Sequence, residues 1–407
     1  MYLPEHDYYH VLTRRHFPGI RNEEHALRKA LRNPIGSRSL LDCIHKNDTI
    51  AIIVTDNTRP FPEEKVLPVL LQELEQKISR KNILIIIALG LHSPLSHDEM
   101  CHKFGQVILE NYKIINHDPE NTTFLGVTTR GTPIEINKYV IQADFRISTG
   151  FIEPHFFAGF SGGRKSIAPG VSSERAILHN HSYHMIAHPR ARAGILKSNP
   201  VHEDMIEQAH KCKLDFILNV ILNQEHKITH IFAGNPWLAH EIGCQVESEI
   251  AGSELCDQVD ICIVTNGGAP LDLDFYQTCK GIDTAAQITR DGGVIIAVSS
   301  CIYGVGPEFF YNLHVSASSP IKIIEILRQA QDQLPGWQNY ILARAQLRHT
   351  IMLLSSLPDE IVREMKVIPI HSLEEGLERA KKIVGNSTEV AIIPEGPLVI
   401  PLVRGKY

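Results

Sequence analysis

Thr49-Ile-Ala-Ile-Ile-Val54, followed at once by Thr55-Asp-Asn-Thr-Arg-Pro60, decides how this chain folds. The apolar run does not alternate with polar residues, so both faces of the strand must be covered. That is the pattern of a parallel strand held between helices. The polar residues then fall at the carboxyl end of the strand, where open α/β sheets collect ligands. Asp56 and Arg59 stand three apart. A carboxylate there can orient a guanidinium for bidentate capture of a carboxylate or phosphate. Asp56 or Thr58 can also cap a following helix that has Pro60 in its first turn.

The unit recurs. A helix over 63–80 precedes Asn82-Ile-Leu-Ile-Ile-Ile-Ala-Leu89, which ends in Gly90-Leu-His92-Ser-Pro94, and Ser96-x-x-Glu99 has the form of a capping box. His92 therefore lies in a loop on the same sheet edge as Arg59. A third strand, Ala143–Thr149, leads into Glu153-Pro-His-Phe-Phe-Ala-Gly-Phe-Ser-Gly-Gly-Arg-Lys165. Gly159, Gly162 and Gly163 permit a backbone nest of N–H groups, and Arg164 and Lys165 add positive charge where an anion would sit. The spacing approaches the phosphate loop of nucleotide hydrolases but fails where Arg164 replaces the glycine before the lysine. A glycine-rich turn with two solvated cations is the simpler reading of the loop alone. His155 and His181 on either side of it favour chemistry.

Beyond the loop, the periodicity reads as a helix over 172–188 that places His181, His184 and His188 on one face, at metal-ligand spacing. No H-E-x-x-H is present, which argues against a zinc peptidase. Residues 1–45 read as helical and peripheral, and a hairpin is expected around 126–131. A second hairpin is expected from 215–222 and 228–232. A helix running to about residue 252 and a strand over 259–264 follow. In the next segment Gln277 and Lys280 share a helix face and can point at one acidic ligand. Further strands over 292–298, 350–354 and 390–394, with amphipathic helices between, complete a second unit. The expected fold is α/β, with two α/β domains, mostly parallel sheets and the active site in the cleft between them. The domains are read as 1–265, binding a cofactor, and 266–407, smaller.

Composition narrows the function. The 407 residues are 43% hydrophobic with a net charge of −6 and no long basic block, so nucleic acid is not an expected partner. The apolar runs are of strand length, so no membrane span is expected, and Met1–Asp7 lacks the pattern of a secretory leader. Eight scattered cysteines with no C-x-x-C pair point to reduced thiols and a cytoplasmic location.

Asp56-Asn-Thr-Arg59, Gly90-Leu-His92, Glu153 to Lys165, His181 and Tyr276-Gln277-x-x-Lys280 keep an order and spacing from about residue 30 to 300 that resembles the nickel-dependent lactate racemase family. Those enzymes racemise or epimerise 2-hydroxy acids with a nickel-pincer nucleotide. The resemblance implies that Lys165 carries the cofactor through a thioamide bond, with Asp56, Thr58, Gly162, Gly163 and Arg164 around it. It implies that His181 is the protein ligand to nickel. His92 and His155 would be the acid/base pair, one on each side of a small-molecule 2-hydroxy acid, with pKa values near neutrality. Arg59, Gln277 and Lys280 would hold its carboxylate and hydroxyl, with Asp56 orienting Arg59. Phe157, Tyr276 and Trp337 would shape the pocket, and maturation proteins would supply the cofactor. Ser93 stands where lactate-specific members tend to carry arginine, and Leu89 and Leu91 are bulkier than the residues common there. These departures point to a longer, aromatic or sugar acid. Two other readings compete: a metal-dependent hydrolase or lyase using His155, His181 and His184, and a non-catalytic binder of a nucleotide or organic acid.

Overall fold

The computed structural model describes residues 9–385 and 388–404; Met1–Tyr8, part of the segment read as helical, lie outside the described residues. Two six-stranded sheets dominate. The first runs, edge to edge, through Lys113–Asn116, Ile83–Ala88, Ile50–Thr55, Phe145–Phe151, Phe216–Leu222 and Ile228–Gly234. Its strands are parallel except the last, which returns as the expected hairpin. The inner strands are buried on both faces, as their unbroken apolar runs require. The expected hairpin near 126–131 forms from Thr122–Val127 and Pro133–Asn137.

Ile50–Thr55 has Ile83–Ala88 on one side and Phe145–Phe151 on the other. The strand order reverses there, so the loops leaving Thr55 and Phe151 diverge and open a crevice at their carboxyl ends. The second sheet repeats the device. Its order is Tyr9–Val11, Val390–Ile393, Val259–Thr265, Thr289–Val298, Thr350–Leu354 and Ile368–Ile370, parallel throughout. Its reversal lies beside Val259–Thr265. From there the chain enters the helix Phe275–Ile288, whose first turn Asp274 caps by accepting the Gln277 N–H at 2.7 Å.

Two sequence expectations are corrected here. Val259–Thr265, assigned to the end of the first domain at residue 265, pairs only within the second sheet, so the crossover precedes Val259. Of the N-terminal segment, Glu23–Arg32 and Leu40–Cys43 are helical, but Tyr9–Val11 is an edge strand of the second sheet. Three residues are too few to show a period. Just beyond them, buried Arg14 reaches Glu247 of the first domain at 3.1 Å, and Gly252–Leu255 pairs with Ile400–Val403. The chain thus crosses between the two halves at both ends. Among the described residues no helix is long and apolar enough to cross a membrane.

Candidate active site

Leaving Phe145–Phe151, the chain forms the two-residue strand Pro154–His155, turns back through Gly159–Phe160, and enters the single 3-10 turn Gly163–Ser166 that carries Lys165. Gly162 and Gly163 have φ of 72° and 51°, and a Cβ on Gly163 would lie 2.6 Å from the His240 ring. Only glycine fits so close an approach at positive φ. The Gly163 N–H donates to Asn219 Oδ1 at 2.8 Å, so this amide serves the loop and not an anion. Arg164 is likewise corrected as a cofactor residue. It is buried and turned inward, donating to the carbonyls of Ala158 at 2.6 Å and Gly162 at 3.3 Å, with His240 Nε2 at 3.1 Å.

Lys165 turns the other way, its Nζ 3.3 Å from His155 Nε2. The Ala158 N–H donates to His155 Nδ1 at 3.2 Å, so a neutral His155 carries its proton on Nε2 and offers it to the lysine amine. Burial, then the charges of Lys165, Lys280, Arg59 and His181, holds the His155 pKa well below that of a free imidazole. Burial, then Arg164, Arg59 and Lys280, pushes Lys165 well below the usual lysine value. A histidine titrating near neutrality is therefore not what the structure shows at position 155. It shows an uncharged imidazole beside an amine driven toward its uncharged, nucleophilic form.

His92, half exposed, comes from the neighbouring strand and donates from Nδ1 to Asp56 Oδ2. Asp56 Oδ1 accepts from the Thr58 N–H at 3.1 Å and the Thr58 hydroxyl at 2.6 Å. The carboxylate therefore orients His92 rather than Arg59, and the Thr58 hydroxyl proton is committed to it. Burial works against the Asp56 charge, but the bond to His92 and the charges of His92 and Arg59 win and hold its pKa below the usual value. With Nδ1–H on the carboxylate, Nε2 of neutral His92 is an open lone pair. Asn57 adds a tie to Glu99 at 2.8 Å, and the Ser96/Glu99 capping box is present. The helix expected over 63–80 starts at Glu63 and ends at Leu74, with Pro62 before its first residue, so neither Asp56 nor Thr58 caps it. Leu89 lies in the hydrophobic core, so its bulk faces packing, whereas Leu91 is exposed.

The second domain supplies the opposite wall. Lys280 Nζ sits 5.9 Å from the centre of the Phe156 ring, across the domain boundary. Burial, then Arg59, lowers its pKa to about 8, against Glu153 and Asp274, which raise it. Gln277 Oε1 is buried with no hydrogen-bond partner. Trp337 Nε1 donates to the Tyr276 hydroxyl at 2.7 Å, and Gln338 Nε2 to the Tyr276 carbonyl at 2.7 Å. The rings of Phe157 and Trp337 meet His181 edge-on, with centroids 4.9 and 5.3 Å away. His181 is buried, its Nδ1 has no partner, and burial with the nearby Lys165 lowers its pKa to about 3.

His181 ends the helix Glu174–Asn180, and a separate short helix, Tyr183–Ile186, starts after Ser182. The continuous helix expected over 172–188 is thus broken. His184 is exposed, so the His155–His181–His184 metal cluster does not form. Among the described residues no three His, Cys, Asp or Glu side chains are placed to hold a metal. Sequence reading missed Phe156, which stacks on His155 at 4.8 Å, and Glu153. The Glu153 carboxyl feels Arg59, Lys280, Arg14 and Lys165, although burial, the larger effect, raises its pKa. Both stand beside His155 in the sequence, and that adjacency was the available signal. Arg59 acts electrostatically on both Asp56 and His155, so the two histidines border one charged space.

An α/β pair of domains with an imidazole–amine couple, an Asp–His couple and cations between them defines an enzyme cleft. The family model for the lactate racemase N-terminal domain matches residues 1–194, and that for the lactate racemase C-terminal domain matches 255–401. A lactate racemase of Thermoanaerobacterium thermosaccharolyticum is 42% identical over 93% of this chain and 90% of its own length. One of Lactiplantibacillus plantarum is 38% identical over 93% and 91%. The T. thermosaccharolyticum lactate racemase apoprotein structure superposes with a TM-score of 0.91 at 41% identity, covering 94% of this chain and 93% of that one. A Thermotoga maritima protein, at 17% identity and a TM-score of 0.70, shares the fold over 94% and 98%. The chain belongs to the lactate racemase family and is an isomerase of the racemase class. Asp56→Asn, which keeps the shape but loses the charge that fixes the His92 tautomer, is expected to lower kcat by about 10²-fold or more with an unchanged melting temperature. Turnover within twofold of wild type would show that Asp56 does not serve His92.

Proposed function

We propose that this enzyme interconverts the stereoisomers of a 2-hydroxy acid by reversible hydride transfer, using a nickel-pincer nucleotide attached at Lys165 and delivered by maturation proteins. The observation that carries this reading is the pairing of a neutral-leaning Lys165 amine with a buried His181 whose Nδ1 has no partner, the two close enough for the lysine charge to act on the imidazole. The donor set fits. One imidazole can hold a soft, square-planar metal only if the remaining donors arrive with a ligand, and the described residues provide no three-residue metal cluster. When bound, the nucleotide supplies an acceptor for the substrate Cα hydrogen as hydride.

The chain's own residues do the rest. Arg59 and Lys280 hold the substrate carboxylate from opposite domains, and Gln277 Oε1 is an unsatisfied acceptor for its hydroxyl. His92, aligned by Asp56, takes the hydroxyl proton at Nε2 as the carbonyl forms. The planar 2-keto acid, still held by its carboxylate, turns its other face and is reduced again. His155 is the partner base for the other enantiomer, and to accept at Nε2 it must carry its proton at Nδ1 instead, releasing the Ala158 N–H. The two histidines are thus unequal in their resting tautomers. Phe156, Phe157, Tyr276 and Trp337 keep water from the reacting carbon.

Conversion of one enantiomer in deuterated water should leave the original hydrogen at Cα. Deuterium entering Cα at the rate of racemisation would mean proton abstraction and would defeat the hydride reading. Lys280 is protonated below a pKa of about 8, so kcat/KM should fall as pH rises through 8. Lys280→Arg should move that limb upward by more than one pH unit, and an unmoved limb would assign it to another group.

A further inference from the structure

Beside His181 lies a group of buried polar side chains that the reaction does not use. Asp204, fully buried on the helix Pro200–Cys212, accepts from the Thr128 hydroxyl at 2.5 Å, Asn180 Nδ2 at 2.7 Å and Gln208 Nε2 at 3.0 Å. A carboxylate only accepts, so both amides must present their NH2 groups to it and neither can flip. Their carbonyl oxygens, Asn180 Oδ1 and Gln208 Oε1, are buried and have no partner. Asn180, Gln208 and His181 line the same narrow gap, and His181 Nδ1 is the third partnerless buried atom there. Two bare acceptors and one partnerless ring nitrogen lining a single gap favour the tautomer in which that nitrogen carries the proton.

We infer that Asp204, acting through Asn180 and Gln208, fixes His181 as the Nδ1–H tautomer and so keeps its Nε2 lone pair aimed into the pocket as the metal-binding atom. The inference rests on the reading of His181 as the nickel ligand. Asn180, Gln208 and Asp204 are positioning residues: they touch neither substrate nor cofactor. A ligating histidine generally donates its other N–H to an acceptor, and loss of that acceptor weakens metal binding by about 10- to 100-fold. As the side chains stand the gap is too narrow for a water, so the acceptor is an amide oxygen closing on Nδ1.

The test uses holoenzyme, with the adduct on Lys165 followed by intact mass and nickel by elemental analysis during EDTA challenge. Gln208→Met and Asn180→Leu, singly and together, should keep the adduct but lose nickel about 10- to 100-fold faster than wild type. Wild-type nickel retention in the double variant would overturn the inference. A second arm needs no cofactor and reads the tautomer in wild type: long-range proton–nitrogen correlation on ¹⁵N-histidine-labelled chain, with His181 assigned by the loss of its signal alone in His181→Gln. A proton on Nδ1 supports the inference, and a proton on Nε2 overturns it. If wild type carries neither nickel nor adduct, it is the functional reading that fails, and the nitrogen spectrum still decides the tautomer.

Discussion

The site depends on enclosing Arg59, Lys165 and Lys280 in one cleft. Like charges in a medium of low dielectric repel strongly, and desolvation adds to the penalty on each. Either the cations acquire counter-charges or some of them lose their protons. Glu153 and Asp274 provide part of the first remedy, each favouring the charged form of Lys280. Lys165, next to Arg164 and with its amine on neutral His155, follows the second, Glu153 opposing the shift only in part. An ammonium is not a nucleophile, so the field that strains the electrostatics of the cleft also favours the amine form of Lys165 that the proposed attachment requires. His155 is held neutral by the same field. His92 sits at the more exposed edge and has Asp56 beside it.

That cluster can exist only because two sheets present their carboxyl edges to one space. On one wall of the cleft, Ile50–Thr55, Ile83–Ala88 and Phe145–Phe151 deliver Asp56, His92 and His155 around a strand-order reversal. The helix after Val259–Thr265 brings Gln277 and Lys280 from the other. The chain crosses between domains near both ends, through Tyr9–Val11 and Arg14 at one and Ile400–Val403 at the other. The two walls are thereby held by more than the single connection before Val259. Contacts such as His181 with Trp337 and Lys280 with Phe156 close the space between them.

Much of this was legible in the chain. Continuous apolar runs ending in polar loops locate the parallel strands and put Asp56, Arg59, His92 and His155 on one sheet edge. What stayed hidden is long-range. Val259–Thr265 reads as a strand, but its sheet depends on partners more than a hundred residues away, such as Val390–Ile393. Asp56 and Arg59 sit at a spacing that suggests a pair, yet His92 arrives from the next strand and takes the carboxylate. The histidines at 181, 184 and 188 share a face only if the helix continues, and it restarts after Ser182. Arg164 looks like a ligand cation in sequence, because burial and the carbonyls of its own loop leave no periodic trace. Asn180, Asp204 and Gln208 give no motif at all, since their relation is made by packing.

The central claim is that Lys165 is the covalent anchor of a nickel-bearing nucleotide in this cleft. Intact-protein mass with nickel analysis tests it most directly, on wild type and Lys165→Ala after co-expression with pincer-nucleotide maturation proteins. The account predicts nickel and a nucleotide-sized mass on wild type and neither on Lys165→Ala. An adduct that survives loss of the lysine, or a wild type carrying no nickel and no adduct under those conditions, would contradict it.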